Sequence, residues 1–372
     1  MTLAAATNEN LANISNTLIY SSMAVYTLAF LAYIAEWLFG SRSKVGRTAA
    51  ALTTTATDSA AKAPAVTART AAGGTAVLER PQVVVRATGG ARDVPDGPGA
   101  HGGDQQGDLY GRIAISLTVL AFALEFGGVL TRALSVQRAP WGNMYEFNIT
   151  FSTTAVGVYL LLLALKMNVR WLGLFLTTSV LLDLGLAVTV LYTDSDQLVP
   201  ALHSYWLWIH VSTAILCGAV FYVGAVGTVL YLFRDSYENK LASGGQPGQF
   251  ARSFLERLPA AASLDKFSYR VNAAVFPLWT FTIIAGAIWA GDAWGRYWGW
   301  DPKETWSFIT WVAYAGYLHA RATAGWKGRK AAYLALLAFA CWLFNYYGVN
   351  IFVSGKHSYA DVGLGVLQSA GF

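Results

Sequence analysis

Residues 294–306 read WGRYWGWDPKETW, and this segment separates two apolar runs of the length that crosses a membrane. Four of its side chains are tryptophans and a fifth is a tyrosine. If the segment is helical, Trp294 and Trp298 share one face, and Gly295 and Gly299 form a bare stripe beside them. Such a surface would let a flat molecule lie on indole rings close to the backbone.

The end of the segment predicts the start of a helix. Asp301 has the character of an N-cap, Pro302 that of the first helical residue, and Glu304 that of the third position of a capping box. An aromatic belt at a membrane surface is the ordinary explanation for tryptophans beside a helix end. Such belts place one or two aromatic residues at each end, and this segment is denser.

Composition indicates a polytopic membrane protein. The 372 residues are 55% hydrophobic, 14% aromatic and only 13% charged, and the mean hydropathy is +0.41. The net charge of +5 does not indicate a nucleic-acid partner, because the basic residues lie in short connecting segments. Cys217 and Cys341 lie in apolar runs without CxxC spacing, so neither a disulfide framework nor a redox pair is predicted.

Hydropathy predicts an all-α bundle of about eight transmembrane helices. Lysine and arginine are concentrated in alternate connections, which predicts that both termini and the tryptophan-rich segment are extracytoplasmic. The protein is therefore expected in the plasma membrane with multiple passes. The predicted spans are 17–40, 109–133, 149–166, 171–192, 205–233, 271–291, 302–320 and 331–352.

Three domains follow from composition. Residues 1–40 form an N-terminal transmembrane helix, and 109–372 form a seven-helix domain that contains the motif at 292–306. Between them, residues 41–108 are rich in Ala, Thr and Gly, which predicts a flexible cytoplasmic linker. His101 in this linker is expected to be solvated, and His203 is expected to be a loop residue.

A known family shares these motifs. The string WGRYWGWDPKETWSFITW, residues 294–311, resembles the "WWD" signature of haem-handling proteins of cytochrome c biogenesis. With YLHAR at 317–321 and NYYGVNIFVSGKHSYA at 345–360, the chain looks like the CcsA-type (CcsA/CcsB/ResC) member of the system II pathway. The resemblance covers residues 141–360 and leaves the first hundred residues without a counterpart.

The resemblance implies haem b as the transported substrate and assigns roles to three histidines. His210 and His357 lie at the membrane level of the motif, where they match the family's external axial ligands of haem iron. An interfacial histidine with a satisfied hydrogen bond is the alternative for each. His319 lies about 26 Å along the helix that starts at Pro302, and it matches a ligand at the family's cytoplasmic uptake site. The sequence alone predicts a helix-end residue beside Arg321.

Candidate haem contacts also come from the motif itself: Trp294, Gly295, Trp298, Gly299, Trp300 and Asp301. The family works with a ResB-type membrane protein and delivers haem to the CxxCH segment of apocytochrome c. The chain would then be part of a holocytochrome c synthase, in which it supplies haem positioning and no catalytic side chain.

Four further residues have no assigned role. Tyr145 and Glu146 belong to WGNMYEF, which resembles a family segment near the outer site. Glu125 and Asp183 fall inside spans, where hydrogen bonding within one helix, or protonation, is expected. Two other functions stay open. One is a bis-histidine electron-transfer subunit of the cytochrome b kind, and the other is a secondary transporter of a small solute.

Overall fold

The fold is a helical bundle. A computed structural model describes residues 8–42, 94–196, 204–353 and 355–357, and no strand occurs among these residues. Residues 43–93, the greater part of the predicted linker, lie outside the described residues, as do His203 and both chain ends. The predicted all-α membrane bundle is confirmed.

Ten α-helices occur in the described part of the chain. They are α1 (Glu9–Arg42), α2 (Gln105–Val136), α3 (Met144–Ala164), α4 (Gly173–Thr189), α5 (Tyr205–Ala242), α6 (Gln249–Leu255), α7 (Ala261–Trp294), α8 (Pro302–Ala322), α9 (Arg329–Leu343) and α10 (Val349–Phe352). A 3-10 turn, Arg170–Leu172, precedes α4. A π-helical segment, Phe344–Gly348, joins α9 to α10.

Seven helical stretches of the described chain are long and apolar enough to cross a membrane. The eighth predicted span, α8, has 21 residues but does not meet the same hydropathy criterion. Its polar residues are at its ends, with Lys303 and Glu304 in the first turn and His319 and Arg321 in the last. The helix therefore exists as predicted.

Helices α5 and α7 pack closely because small residues lie at their contact. A Cβ on Gly224 would lie 2.5 Å from Oδ1 of Asn272, and a Cβ on Gly227 would lie 2.6 Å from Oγ of Ser268. The core beside this pair is aromatic: Phe221 stacks on Tyr314 of α8 with ring centroids 3.9 Å apart. This stacking packs the middle of α8 against α5.

The two carboxyl groups inside spans are bonded between helices. Glu125 accepts hydrogen bonds from Tyr26 of α1 at 2.7 Å and from Ser152 of α3 at 2.5 Å. Asp183 of α4 accepts one from Tyr347 of the π-helical segment at 2.6 Å. The expected bonding within one helix is therefore wrong for both, because their partners come from neighbouring helices.

The end of the predicted linker is ordered. Asp96 accepts a hydrogen bond from the backbone N–H of Ala260 at 2.8 Å, and Arg257 donates to the carbonyl of Ala100 at 2.6 Å. Helix α2 then begins at Gln105, capped by the side chain of Asp104, rather than at residue 109. His101 accepts from the N–H of Gly103 at 2.9 Å and is half-buried, so it is not simply solvated.

Candidate functional site

The motif is a helix end followed by a loop. Helix α7 ends at Trp294, and Gly295 caps it with a left-handed backbone (φ 69°) and an N–H bonded to the carbonyl of Gly291 at 3.0 Å. Trp300 also has a positive φ, 57°. Because residues 295–301 are not helical, the glycine stripe predicted from helical spacing does not exist. A Cβ on Gly299 would instead overlap the guanidinium of Arg296.

The start of α8 is as predicted. Asp301 is the N-cap, Pro302 the first residue, and Glu304 completes the capping box. The carboxylate of Glu304 accepts from the N–H of Gly299 at 2.8 Å and from that of Asp301 at 3.1 Å, and it pairs with Arg296 at 3.4 Å. One buried carboxylate therefore holds the loop against the helix that follows it.

His357 is oriented by the same cap. Its Nδ1 lies 2.8 Å from Oδ2 of Asp301, and the N–H of Lys356 bonds to the other carboxylate oxygen at 2.8 Å. Burial raises the pKa of Asp301, but the hydrogen bonds from Lys356 and His357 outweigh it and hold that pKa below its ordinary value. Burial lowers the pKa of His357 despite the opposing effect of Asp301. The pair is therefore a carboxylate and a neutral imidazole near pH 7.

His210 is oriented by backbone. It lies in the second turn of α5, and its Nδ1 is 2.9 Å from the carbonyl oxygen of Thr282 in α7. Since a carbonyl can only accept, Nδ1 carries the proton and Nε2 carries the lone pair. A Cβ on Gly286 would lie 2.6 Å from Cε1 of this ring, so a glycine is needed where α7 passes the histidine.

The two histidines line one cleft. Trp289 contacts both of them, with its ring centroid 5.9 Å from that of His210 and 6.4 Å from that of His357. The cleft encloses about 1200 Å³ of empty space, part of it open to solvent. Its other walls come from the loop before α3, from α5, α7, α8 and α9, from the loop between α7 and α8, and from the π-helical segment. They include Trp141, Leu207, Trp279, Tyr297, Trp298, Lys303, Asn345, Trp342 and Tyr346. We call this space the histidine cleft.

The motif residues have different positions around the histidine cleft. Trp298 lines it. Trp294 contacts His357 edge to face, with centroids 4.7 Å apart, without lining the cleft. Trp300 is 66% exposed and packs on Trp298 at 5.7 Å. Gly295 and Gly299 set the shape of the loop and do not line the cleft.

His319 lies at the other end of α8. This helix is continuous from Pro302 to Ala322, and His319 is an exposed residue in its last turn. Nearby Arg321 makes a two-pronged ion pair with Asp265 at 2.6 and 2.9 Å. His319 is not among the residues that line the histidine cleft.

Tyr145 and Glu146 support the loop before α3. Glu146 is fully buried and pairs with Arg132 at 3.1 Å and with Arg138 at 2.7 Å, and it accepts from the N–H of Gly142 at 2.8 Å. Tyr145 is buried under the guanidinium of Arg132 at 5.1 Å. These contacts fix Trp141 and Gly142 on the wall of the histidine cleft.

Sequence reasoning missed Thr282, Gly286, Trp289 and Lys303. The first three lie in an apolar run, where a glycine or a tryptophan has no distinguishing pattern. Their spacing of three to four residues does place them on one face of α7, and that face could have been matched to His210. Lys303 lies inside the motif, where a charged residue among tryptophans could have been recognised as a candidate site residue.

The donor set favours an iron that brings its own equatorial ligands. Among the described residues, no group of three or more His, Cys, Asp or Glu side chains could hold a bare metal ion. Two imidazoles that line one aromatic cleft suit a macrocyclic iron, which needs axial ligands alone. Hydrogen bonds from Nδ1 to a carboxylate or a carbonyl are the usual supports of such ligands.

Comparisons with known proteins show which family the chain resembles. The profile of a family described as "Cytochrome C assembly protein" matches residues 141–357. The chain is similar to proteins named "Cytochrome c biogenesis protein CcsA". It is 38% identical to that of Trieres chinensis over 246 residues, 59% of this chain and 77% of the relative. It is 37% identical to that of Gloeothece citriformis over 291 residues, 67% and 87% of the two chains. It is 35% identical to that of a Synechococcus species over 297 residues, 68% of this chain and 84% of the relative.

Proposed function

Since this chain belongs to the CcsA family of cytochrome c biogenesis proteins and is a multi-pass membrane protein, we propose that it carries haem b to the histidine cleft. There it presents haem for covalent attachment to apocytochrome c. The substrate would be held by His210 and His357 as axial ligands. Trp289 and Trp298 would provide the aromatic walls.

The observation that carries this proposal is which nitrogen of each imidazole carries the proton. Asp301 accepts the Nδ1 proton of His357, and the Thr282 carbonyl accepts that of His210. Each ring therefore carries a proton on Nδ1, so that in the neutral imidazole the lone pair is on Nε2, the atom that binds iron. Both also line the same cleft, and the rings are held in place before the ligand arrives.

The chemistry of attachment belongs to the substrates. Each thiol of a CxxCH segment adds its sulfur and its hydrogen across one vinyl group of haem, so two thioether bonds form without net oxidation. The histidine of CxxCH would then replace one of the protein's imidazoles. The protein contributes position and orientation, which raise the effective concentration of the reacting groups.

Sidedness and partners are part of the proposal. The excess of lysine and arginine in alternate connections supports an extracytoplasmic histidine cleft. His319, at the opposite end of α8, would bind haem at its cytoplasmic uptake site. A ResB-type membrane protein would complete the holocytochrome c synthase.

Alanine variants of the two histidines test the axial-ligand assignment. We expect His210→Ala and His357→Ala to lose most of the bound haem and to stop cytochrome c maturation, because packing cannot replace an iron–nitrogen bond. Free imidazole in the buffer should restore part of the haem spectrum in each. His101→Ala, at the far end of the bundle, is the matched control and should keep wild-type haem.

Purified wild-type protein also distinguishes the proposed function from the two competing ones. A CxxCH peptide should withdraw haem covalently from the wild-type chain, whereas an SxxSH peptide should not. An electron-transfer subunit would keep its haem and cycle with quinol, and a solute transporter would bind none. Wild-type haem content in both alanine variants would contradict the assignment.

A further inference from the structure

A lysine side chain lines the histidine cleft, and no carboxylate among the described residues forms an ion pair with it. The Nζ of Lys303, in the first turn of α8, donates to the backbone carbonyl of Asn345 at 2.9 Å and lies 5.4 Å above the ring of Tyr346. An ammonium group has three N–H donors. Within the described chain, a hydrogen bond at Asn345 uses only one of them.

The neighbouring carboxylates are engaged elsewhere. Asp301 is bonded to His357 and to the N–H of Lys356, and Glu304 is bonded to Arg296 and to two loop N–H groups. No carboxylate of the described residues lies within 4 Å of the Lys303 Nζ as an ion pair. Removing an ammonium from water without an anion costs free energy. The arrangement is therefore one that an incoming anion would stabilise.

We propose that Lys303 binds a carboxylate of the substrate, so that the histidine cleft selects a flat, apolar ring that bears acidic side groups. The inference rests on the proposed function and specifies it, since haem carries two propionate groups at one edge. The histidines would bind the iron from its two faces. Lys303 would fix the rotation of the ring about the iron axis and thus which edge faces the apocytochrome.

A purely structural role for Lys303 is the competing explanation. The bond to Asn345 links α8 to the π-helical segment, and both contribute to the wall of the cleft. Loss of that link would weaken the binding of any ligand. Only a role in carboxylate binding makes the effect of the substitution depend on the charge of the ligand.

The test compares haem with its dimethyl ester, in which both carboxylates are blocked. Affinities of both for the full chain in detergent are measured by absorption titration, in the wild type, Lys303→Gln and Lys303→Arg. Glutamine keeps a donor for Asn345 without the charge, and arginine keeps the charge. The matched control is Lys356→Met, which removes an exposed lysine at the same end that contacts Trp294 and not the cleft.

We expect Lys303→Gln to reduce the preference for haem over the ester by about tenfold or more, the usual effect of one charge-assisted hydrogen bond. Lys303→Arg should keep most of the preference, and Lys356→Met should keep all of it. Different partitioning of the two compounds into detergent cancels, because the ratio is compared between variants. An equal loss of both ligands in Lys303→Gln, or an unchanged ratio, would overturn the inference while haem binding stands. Failure of the wild type to bind either compound would instead refute the proposed function.

Discussion

Nδ1 of His357 lies 2.8 Å from Oδ2 of Asp301, the residue that caps α8. The last described histidine is thus oriented by the N-cap of a helix, 56 residues earlier in the chain, and the N–H of Lys356 also bonds to Asp301. The acidic residue of the motif therefore acts through the histidine that follows the last membrane helix. This contact explains how a loop motif and a distant histidine can form one site.

Replacing Asp301 with Asn separates orientation from helix capping. Asparagine caps a helix about as well as aspartate, so α8 should keep its start. The imidazole of His357 loses its carboxylate acceptor and some of its basicity, and we expect haem affinity to fall by about 10- to 100-fold. Haem titration checks this value. Asp292→Asn, which changes an exposed acid in the last turn of α7, should have no effect, and equal affinity in both variants would contradict the role of Asp301.

Acid sensitivity of haem binding should follow His357. Its pKa is lowered in the folded protein because burial disfavours the imidazolium. As the pH falls, the unfolded chain therefore takes up this proton first, near pH 6.5. The contribution of His357 to stability is complete above that pH and is lost below it, toward the lower folded pKa. A proton on Nε2 of His357 would also compete with iron. Because the folded pKa is lowered, we expect haem affinity to decline only below about pH 6.5.

The Asp301→Asn variant gives this pH profile a second test. Asp301 raises the pKa of His357 against the effect of burial. Its removal should therefore move the acid decline to lower pH even though affinity at pH 7 is reduced. A decline that moves to higher pH, or that begins above pH 6.5 in the wild type, would show that another group controls binding.

Gly286 should be more sensitive to substitution than a helical glycine that faces open space. A methyl group at this position would lie 2.6 Å from Cε1 of His210, so the ring must leave its bond to Thr282. We expect Gly286→Ala to lower haem affinity by about tenfold, comparable to other losses of ligand support. Gly316→Ala in α8, where a Cβ would meet nothing within 4 Å, is the matched control. Similar haem titrations for the two variants would contradict the proposed support of His210.

The sequence predicted those features that depend on regular patterns. Apolar runs of spanning length gave the helices, and their alternation placed His210 and His357 at one end of the bundle. The capping residues Asp301, Pro302 and Glu304 gave the start of α8 because each satisfies a known requirement of a helix N-terminus.

Features that depend on tertiary contact could not be predicted in this way. The spacing of Trp294 and Trp298 is helical, but Gly295 ends α7 between them, so the predicted stripe is absent. Residues 94–104 have the composition of a linker, yet backbone groups of Gly97, Gly99 and Ala100 bond to the segment at Arg257–Leu258. Amino-acid composition does not predict hydrogen bonds made by the backbone.

The continuity of α8 leads to the last prediction, that His319 and the histidine cleft serve different haem sites. Seventeen residues of unbroken helix separate Pro302 from His319, or about 26 Å at the usual rise. Only a break in α8 could bring His319 to the iron held by His210.

If haem is taken up at His319, then His319→Ala should lower haem at both sites, because the cleft is filled from the uptake site. His357→Ala should instead leave haem at the uptake site and deplete only the cleft. Haem content per chain and the spectrum of each variant distinguish these outcomes, with Lys327→Ala, an exposed residue beyond the same helix end, as the control. Full occupancy of the cleft in His319→Ala would show that haem arrives by another path. A cross-link that joins His319 and His210 through one iron would refute the two-site arrangement altogether.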